Sequence, residues 1–484
     1  MNKSSVRKSL IYKFTERFAV KGLGLVISII LARLMAPEAF GQIAILTVII
    51  NLSLIFIEGG LGAALIQQND VDERDFSTVF YISLLLSVVL IVILHIVAPL
   101  IANLYKSPEL TEPLKAYSFA LIPMAFNSIQ TTRIQREMRF KEMMVCNLAA
   151  CIGSGIIGIW LALKGLGLWA LVVYYVAQIV ISGAAMFMYV RWLPHSRFSI
   201  NSARKLYKYG IRILGTSLIT ALYADIRPLI IGKKFSTTQL GYYDRGQRFS
   251  STISVNLDNA LRSVMFPVLS RAQDEPKLFL SMLRKTRMLG ALITFPVLAG
   301  TAAVAEPMVR LLLTEEWLPC VLYTQLLCMA EAQLPLTSAN LIAIQATGRS
   351  DILLKLSVLR ISLMLGVLII SVTAFDSMLA ITVAYLFSAW LDTVITSLVI
   401  KKMLGYRMLE QFGDIWKSAL STLIMAAAVY SLNFISLAPA ILLCLQIPMG
   451  VIVYVLCNLL LKNESIMFMP DSIKKILRKR GADA

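Results

Sequence analysis

The sequence predicts an all-α polytopic membrane protein of about 14 transmembrane helices: two six-helix lobes in a parallel pseudo-two-fold repeat, plus two extra C-terminal helices. Three observations carry this. Of 484 residues, 58% are apolar and only 15% charged, against about a quarter charged in an average soluble domain. Apolar runs of bilayer-spanning length recur from one end of the chain to the other. The period-2 alternation of a membrane barrel is absent, and backbone in lipid must satisfy its own hydrogen bonds, which leaves helices.

In order, the expected spans are 12–34, 40–66, 76–104, 114–134, 143–163, 168–190, 209–231, 249–269, 288–313, 321–346, 352–375, 378–400, 415–435 and 438–461. The basic N-terminus MNKSSVRKSLIYKF precedes a run long enough to span and without an A-x-A-like cleavage site, so it reads as a first helix. The eighth run, FSSTISVNLDNALRSVMFPVL, is too polar for hydropathy alone to find. Charge asymmetry supports it. With this span in place, Lys and Arg fall several-fold more often in one set of alternating loops, including RIQREMRFK and KKMLGYR. The positive-inside rule then places those loops and both termini in the cytoplasm.

An internal repeat supports it as well. RLMAPEAFG (33–41) aligns with KKFSTTQLG (233–241) at an offset of 200, which also pairs Glu58 with Asp258 and Leu61 with Leu261. Further on, IQREMR (134–139) matches IQATGR (344–349) at an offset of 210. A six-helix unit repeats in the same orientation, as in two-lobed transporters. The expected organisation is an N-lobe over 1–190, a basic cytoplasmic linker over 191–208, a C-lobe over 209–402, two further spans within 403–461, and a basic cytoplasmic tail over 462–484. In that tail PDSIKKILRKR, with Asp471 as cap, reads either as an interfacial helix on anionic lipid or as a solvated segment.

Chemistry is scarce. Walker A, HExxH, nucleophile-elbow and metal-spaced Cys/His motifs are absent. Six cysteines lie mostly inside apolar runs, where they read as small hydrophobes rather than metal or disulfide partners. The formal net charge of +18 follows membrane topology and does not point to nucleic acid. Outward loops are short, which disfavours a membrane-embedded polymerase or glycosyltransferase. Transport is the better reading, with neither catalytic residues nor cofactor.

Basic N-terminus, LARLMAPEAFGQIA (31–44), EGGLGAALIQ (58–67) and GLGLWALV (165–172) together resemble the polysaccharide transporter family of the multidrug/oligosaccharidyl-lipid/polysaccharide exporter superfamily. Within it, the similarity is to Wzx-type lipid-linked oligosaccharide flippases and colanic-acid-exporter-like proteins, over nearly the whole chain. The resemblance implies a bacterial inner-membrane flippase for an undecaprenyl-pyrophosphate-linked oligosaccharide of O-antigen, capsule or exopolysaccharide. It also implies alternating access between lobes around a cationic cavity lined by spans 1, 2, 7 and 8. A cation-coupled exporter of small amphiphiles on the same architecture is the alternative. A monomer is expected, with contacts to polysaccharide polymerase machinery as a further partner.

Ionisable groups inside spans cost about 2.5–3.5 kcal/mol each and need a partner or water. Arg17, Lys21, Arg262 and Arg360 are the candidate substrate-binding cations, since arginine offers bidentate donors to phosphate. Glu58, roughly 12 Å from its helix end at 1.5 Å per residue, and Asp258 are candidate gate residues that compete for those cations. Glu331 and Asp392, nearest mid-membrane, are candidates for H⁺ or Na⁺ coupling. The plainer reading stands beside each: Arg17 snorkels from a helix end, Asp258–Arg262 and Glu306–Arg310 are i, i+4 pairs, and His95 is a hydrogen-bonded interior residue. Span 8 adds Ser250, Ser251, Thr252, Ser254, Asn256, Asn259 and Ser263 to its two charges, suggesting the wall of a polar path. Gly59, Gly60 and Gly62 read as close-packing positions that also permit a bend in span 2.

Overall fold

A computed structural model describes residues 3–68, 70–435 and 437–463, with no strand among them. The tail from 464 onward, including Asp471, lies outside the described residues. The chain forms two compact units, 1–244 and 245–484. Among the described residues, eight single helices and the consecutive pair over Cys320–Ala346 are long and apolar enough to cross a membrane, which makes this a multi-pass membrane protein. Every run expected from the sequence coincides with a helix or a pair of consecutive helices.

The first unit contains α1 (Lys3–Leu34), α2 (Pro37–Glu58), α3 (Leu61–Gln67), α4 (Glu73–Leu104), α5 (Thr111–Ser118), α6 (Leu121–Arg136), α7 (Phe140–Leu163), α8 (Leu168–Val190), α9 (Ile200–Lys234) and the start of α10 (Thr237–Arg271). α7 packs on α1 and α8, and α9 packs on α2, α3 and α4. Span 2 is broken at Gly59 (φ 53°) and Gly60 (φ 68°). Two consecutive left-handed residues end α2, a conformation that glycine adopts without Cβ strain. α9 closes on the break: Gly210 comes so near that a Cβ on Gly60 would overlap its carbonyl oxygen. The displaced α3 ends under Arg136, whose guanidinium donates to the carbonyls of Leu65 and of Gln68 (2.8 Å). A cation at a helix C-terminus satisfies orphan carbonyls and complements the dipole.

α4 starts on a capping box formed by Asp72 and Asp75. Its first turns hold the segment that leads into α9. Trp192 is buried against Phe76 and Phe80 and donates from Nε1 to Glu73 Oε2 (2.7 Å). Gln130 Nε2 donates to the Trp192 carbonyl (3.0 Å). The amides of Ser196 and Ser199 donate to Ser77 and Thr78 hydroxyls, and Lys205 pairs with Asp75 at 3.2 Å. Part of the basic charge of 191–208 is therefore spent on acidic groups at the start of α4.

The second unit contains the remainder of α10, then α11 (Pro276–Ala303), α12 (Ala305–Leu312), α13 (Cys320–Glu331), α14 (Leu334–Ala346), α15 (Ser350–Ala374), α16 (Met378–Leu404), α17 (Met408–Gly413), α18 (Trp416–Ser431) and α19 (Pro439–Leu460). α11 packs against α13, α14 and α18, α16 against α13, α14 and α15, and α18 against α19.

Helix boundaries echo the sequence repeat. α1 ends at Leu34 and α2 begins at Pro37, while α9 ends at Lys234 and α10 begins at Thr237. Met138 (φ 56°) and Gly348 (φ 71°), at an offset of 210, both lie between helices and precede the N-cap arginines Arg139 and Arg349. Spans 4 and 10 are both split, α5 from α6 and α13 from α14. Pro123 and Pro335 in the first turns of α6 and α14 cannot donate the backbone bond that would continue the preceding helix. The span 2 break has no counterpart: α10 runs unbroken through 259–260. Within the first unit, α2 and the start of α10 cross backbone to backbone. A Cβ on Gly41 would overlap the Thr237 carbonyl, and one on Gly241 would overlap the Pro37 carbonyl. With an offset of 200 these are one contact seen from its two sides, the reciprocity of an isologous interface.

Candidate functional site

The break in span 2 leaves Glu58 as the last residue of α2, at the edge of a pocket of about 490 Å³ between α2, α3, α6 and α9. Its walls mix Leu54, Ile55, Met124 and Ile213 with a polar stripe on α6: Asn127, Ser128, Thr131, Thr132 and Gln135. These recur at steps of four, so they share one helix face. Ser217 of α9 adds a hydroxyl. Some capacity is spent. Asn127 Nδ2 donates to the Ile179 carbonyl (2.8 Å), Thr132 to the Ser128 carbonyl (2.8 Å), and Thr131 to the Met186 sulfur (3.6 Å). Among the described residues, the side chains of Glu58, Ser128, Gln135 and Ser217 make no hydrogen bond or ion pair within the protein, and no lysine or arginine lines the pocket.

Polar chemistry in the second unit is organised the other way. Arg262 lies 3.2 Å from Asp258 within α10 and donates from Nε to Ser338 Oγ of α14 (2.8 Å). Buried Arg287 donates to Asn340 Oδ1 (2.7 Å), and the Asn340 amide donates to Thr396 and Ser397 of α16. Gln333 Oε1 accepts from Thr337 (2.6 Å) and Thr393 (2.7 Å). Glu331 accepts from Ser254 (3.1 Å) and Tyr385 (2.9 Å). Arg360 and Asp392 form a two-pronged ion pair between α15 and α16. Beside this ladder, α11, α13, α16 and α18 frame an apolar cleft of about 800 Å³, walled by alanines with Phe295, Leu386, Trp390, Leu423 and Tyr430.

Of the sequence-derived candidates, Glu58 opens on the first unit's pocket, while Asp258, Arg262, Glu331, Arg360 and Asp392 have protein partners in the second unit. Lys21 is exposed on α1, and the side chain of Arg17 lies outside the described residues. His95 is held by the Ile91 carbonyl (2.9 Å) and packs edge-on against Phe119, the interior role expected for it. Glu306 and Arg310 pair locally at 3.0 Å. All six cysteines are free, four of them buried, consistent with packing. The α6 stripe escaped sequence reasoning, although FNSIQTTRIQ (126–135) carries its signal in the step-four recurrence of polar residues. Thr337, Asn340, Thr393 and Thr396 escaped because their partners on other helices lie more than fifty residues away in the chain.

The family described as "Polysaccharide biosynthesis protein" matches residues 30–322. The chain belongs to this polysaccharide biosynthesis protein family. Its relatives include the teichuronic acid biosynthesis protein TuaB of Bacillus subtilis (strain 168), 22% identical over 88% of each chain. The lipopolysaccharide biosynthesis protein WzxC of Escherichia coli (strain K12) is 22% identical over 84% of each. Among solved structures, a lipid II flippase MurJ in an inward closed conformation superposes with a TM-score of 0.76 at 16% identity, over 94% of this chain and 100% of that one. An inward-facing MATE multidrug resistance transporter of the MOP superfamily gives 0.61 at 15%, over 82% and 99%. These likenesses establish the fold that the family member shares with both.

Proposed function

We propose that this protein is a bacterial inner-membrane flippase. It moves an undecaprenyl-pyrophosphate-linked oligosaccharide from the cytoplasmic to the periplasmic leaflet by alternating access of two six-helix lobes. In this reading the chain spans the membrane fourteen times with both termini in the cytoplasm. The lobes correspond to 1–190 and 209–402, joined by 191–208, and α18 and α19 are additions to the repeat. The observation that carries the proposal is the apolar cleft beside α18. The added helix supplies a wall to a cleft of about 800 Å³ with almost no polar lining, which suits a polyprenyl chain. The polar pocket of the first unit suits the other end of such a molecule. The relatives' roles in teichuronic acid and lipopolysaccharide biosynthesis point to the same substrate class.

One observation favours a cation-coupled exporter of amphiphiles instead: among the described residues, Glu58 is a carboxylate without a protein partner in a partly apolar pocket. A deletion strain separates the readings by what accumulates. The flippase reading expects undecaprenyl-linked repeat units to build up. Drug sensitivity without that build-up would contradict it, as would unpolymerised units at the surface. In the same strain, Glu331→Gln tests ion coupling, because full complementation by this variant would remove Glu331 from such a role.

A further inference from the structure

We propose that the pocket at Glu58 is a subsite for the uncharged sugar of the transported lipid, distinct from the place where its pyrophosphate is held. This rests on the flippase reading and assigns one part of the substrate to one part of the protein.

The argument starts from what the pocket leaves unspent. Glu58, Ser128, Gln135 and Ser217 face one cavity, and none is used by the protein among the described residues. They come from α2, α6 and α9, so three elements converge on the space between them. A carboxylate accepts two hydrogen bonds side by side, which matches the two hydroxyls of a vicinal diol. The amide and hydroxyls both donate and accept, which suits the remaining hydroxyls and ring oxygen of a sugar. Leu54, Ile55 and Ile213 offer apolar wall to the C–H faces of the ring. At about 490 Å³ the cavity lies within the usual range of ligand sites, about 300–1,000 Å³. The same lining disfavours pyrophosphate: among the described residues no cation lines it, and the carboxylate repels an anion. The glycines that break span 2 shape the pocket, since they end α2 at Glu58 and restart the chain as α3, and Gly60 lines the cavity.

The test uses the purified full-length protein in lipid nanodiscs and two probes. One is undecaprenyl pyrophosphate; the other is the same lipid carrying the host's repeat unit. The wild type is expected to bind the glycosylated lipid more tightly. Glu58→Gln should remove about tenfold or more of that affinity, the scale of a charge-assisted hydrogen bond, while binding of the bare lipid changes less than about twofold. Gln135→Leu and Ser217→Ala should each lose a smaller part in the same selective way, which covers the case in which Glu58→Gln does not fold. Equal weakening for both lipids would overturn the subsite, as would no change for either. It also fails if Glu58→Gln abolishes binding of tetraphenylphosphonium or a sodium dependence instead, because the pocket would then be a cation site. Wild-type protein that binds neither lipid would defeat the flippase reading itself, a separate outcome.

Discussion

Glu58 and Asp258 stand at the same step of the 200-residue offset, yet the protein treats them oppositely. Asp258 is held by Arg262 one helical turn away. Glu58 ends a broken helix and keeps its carboxylate open to a pocket. The contrast extends through the two units. In the second, Glu331 accepts from two hydroxyls, Asp392 is neutralised by Arg360, and Gln333 and Asn340 each bridge α14 to α16 or its neighbours. There, polar groups hold helices together where lipid provides no hydrophobic drive between them. In the first, Glu58 of α2, Ser128 and Gln135 of α6 and Ser217 of α9 remain available among the described residues. Polar content alone therefore does not separate the two units; the difference is that polar groups facing the first unit's pocket are left without protein partners among the described residues.

The largest way to break this comparison is to open the second unit's closed pair. Arg360→Ala leaves Asp392 mostly buried and alone, and loss of one partner of such a pair costs about 3–5 kcal/mol. Thermal unfolding in detergent should show a strong drop, and adding Asp392→Leu should recover much of it. A similar drop from Glu58→Ala would erase the distinction between the units, because Glu58 has no partner to lose among the described residues.

The next effect sharpens the repeat. Leucine at Gly41 would drive its side chain into the Thr237 backbone, and leucine at Gly241 would do the same to Pro37. Backbone cannot swing aside as a flexible side chain can, so each should cost about 1–3 kcal/mol or more. The reciprocity of this contact predicts similar losses for the two. Gly24→Leu on α1, with nothing within 4 Å, is the control and should stay within about 0.5 kcal/mol of wild type.

The helices were legible from apolar runs because lipid leaves the backbone few alternatives. The bend in span 2 was legible from adjacent Gly59 and Gly60. The splits of spans 4 and 10 were harder to read. Pro123 and Pro335 mark them, but Pro99, Pro267 and Pro296 lie inside unbroken helices, so proline alone does not decide. The site was legible one residue at a time. Glu58 stood out as a charge in an apolar run, whereas its neighbours on α6 looked like ordinary polar residues until α2, α3 and α9 closed around them. The Arg360–Asp392 pair joins residues from different helices, 32 positions apart, and no local spacing announces it.

The most direct test of the central claim is leaflet exchange by the protein alone. The full-length chain would be reconstituted into liposomes carrying a lipid-linked oligosaccharide on the inner leaflet, with a membrane-impermeant lectin outside. The flippase account predicts that lectin-accessible glycan rises in proportion to reconstituted protein and falls back with Glu58→Gln. Liposomes in which accessible glycan stays at the protein-free level, while the same preparation moves a lipophilic cation, would contradict it.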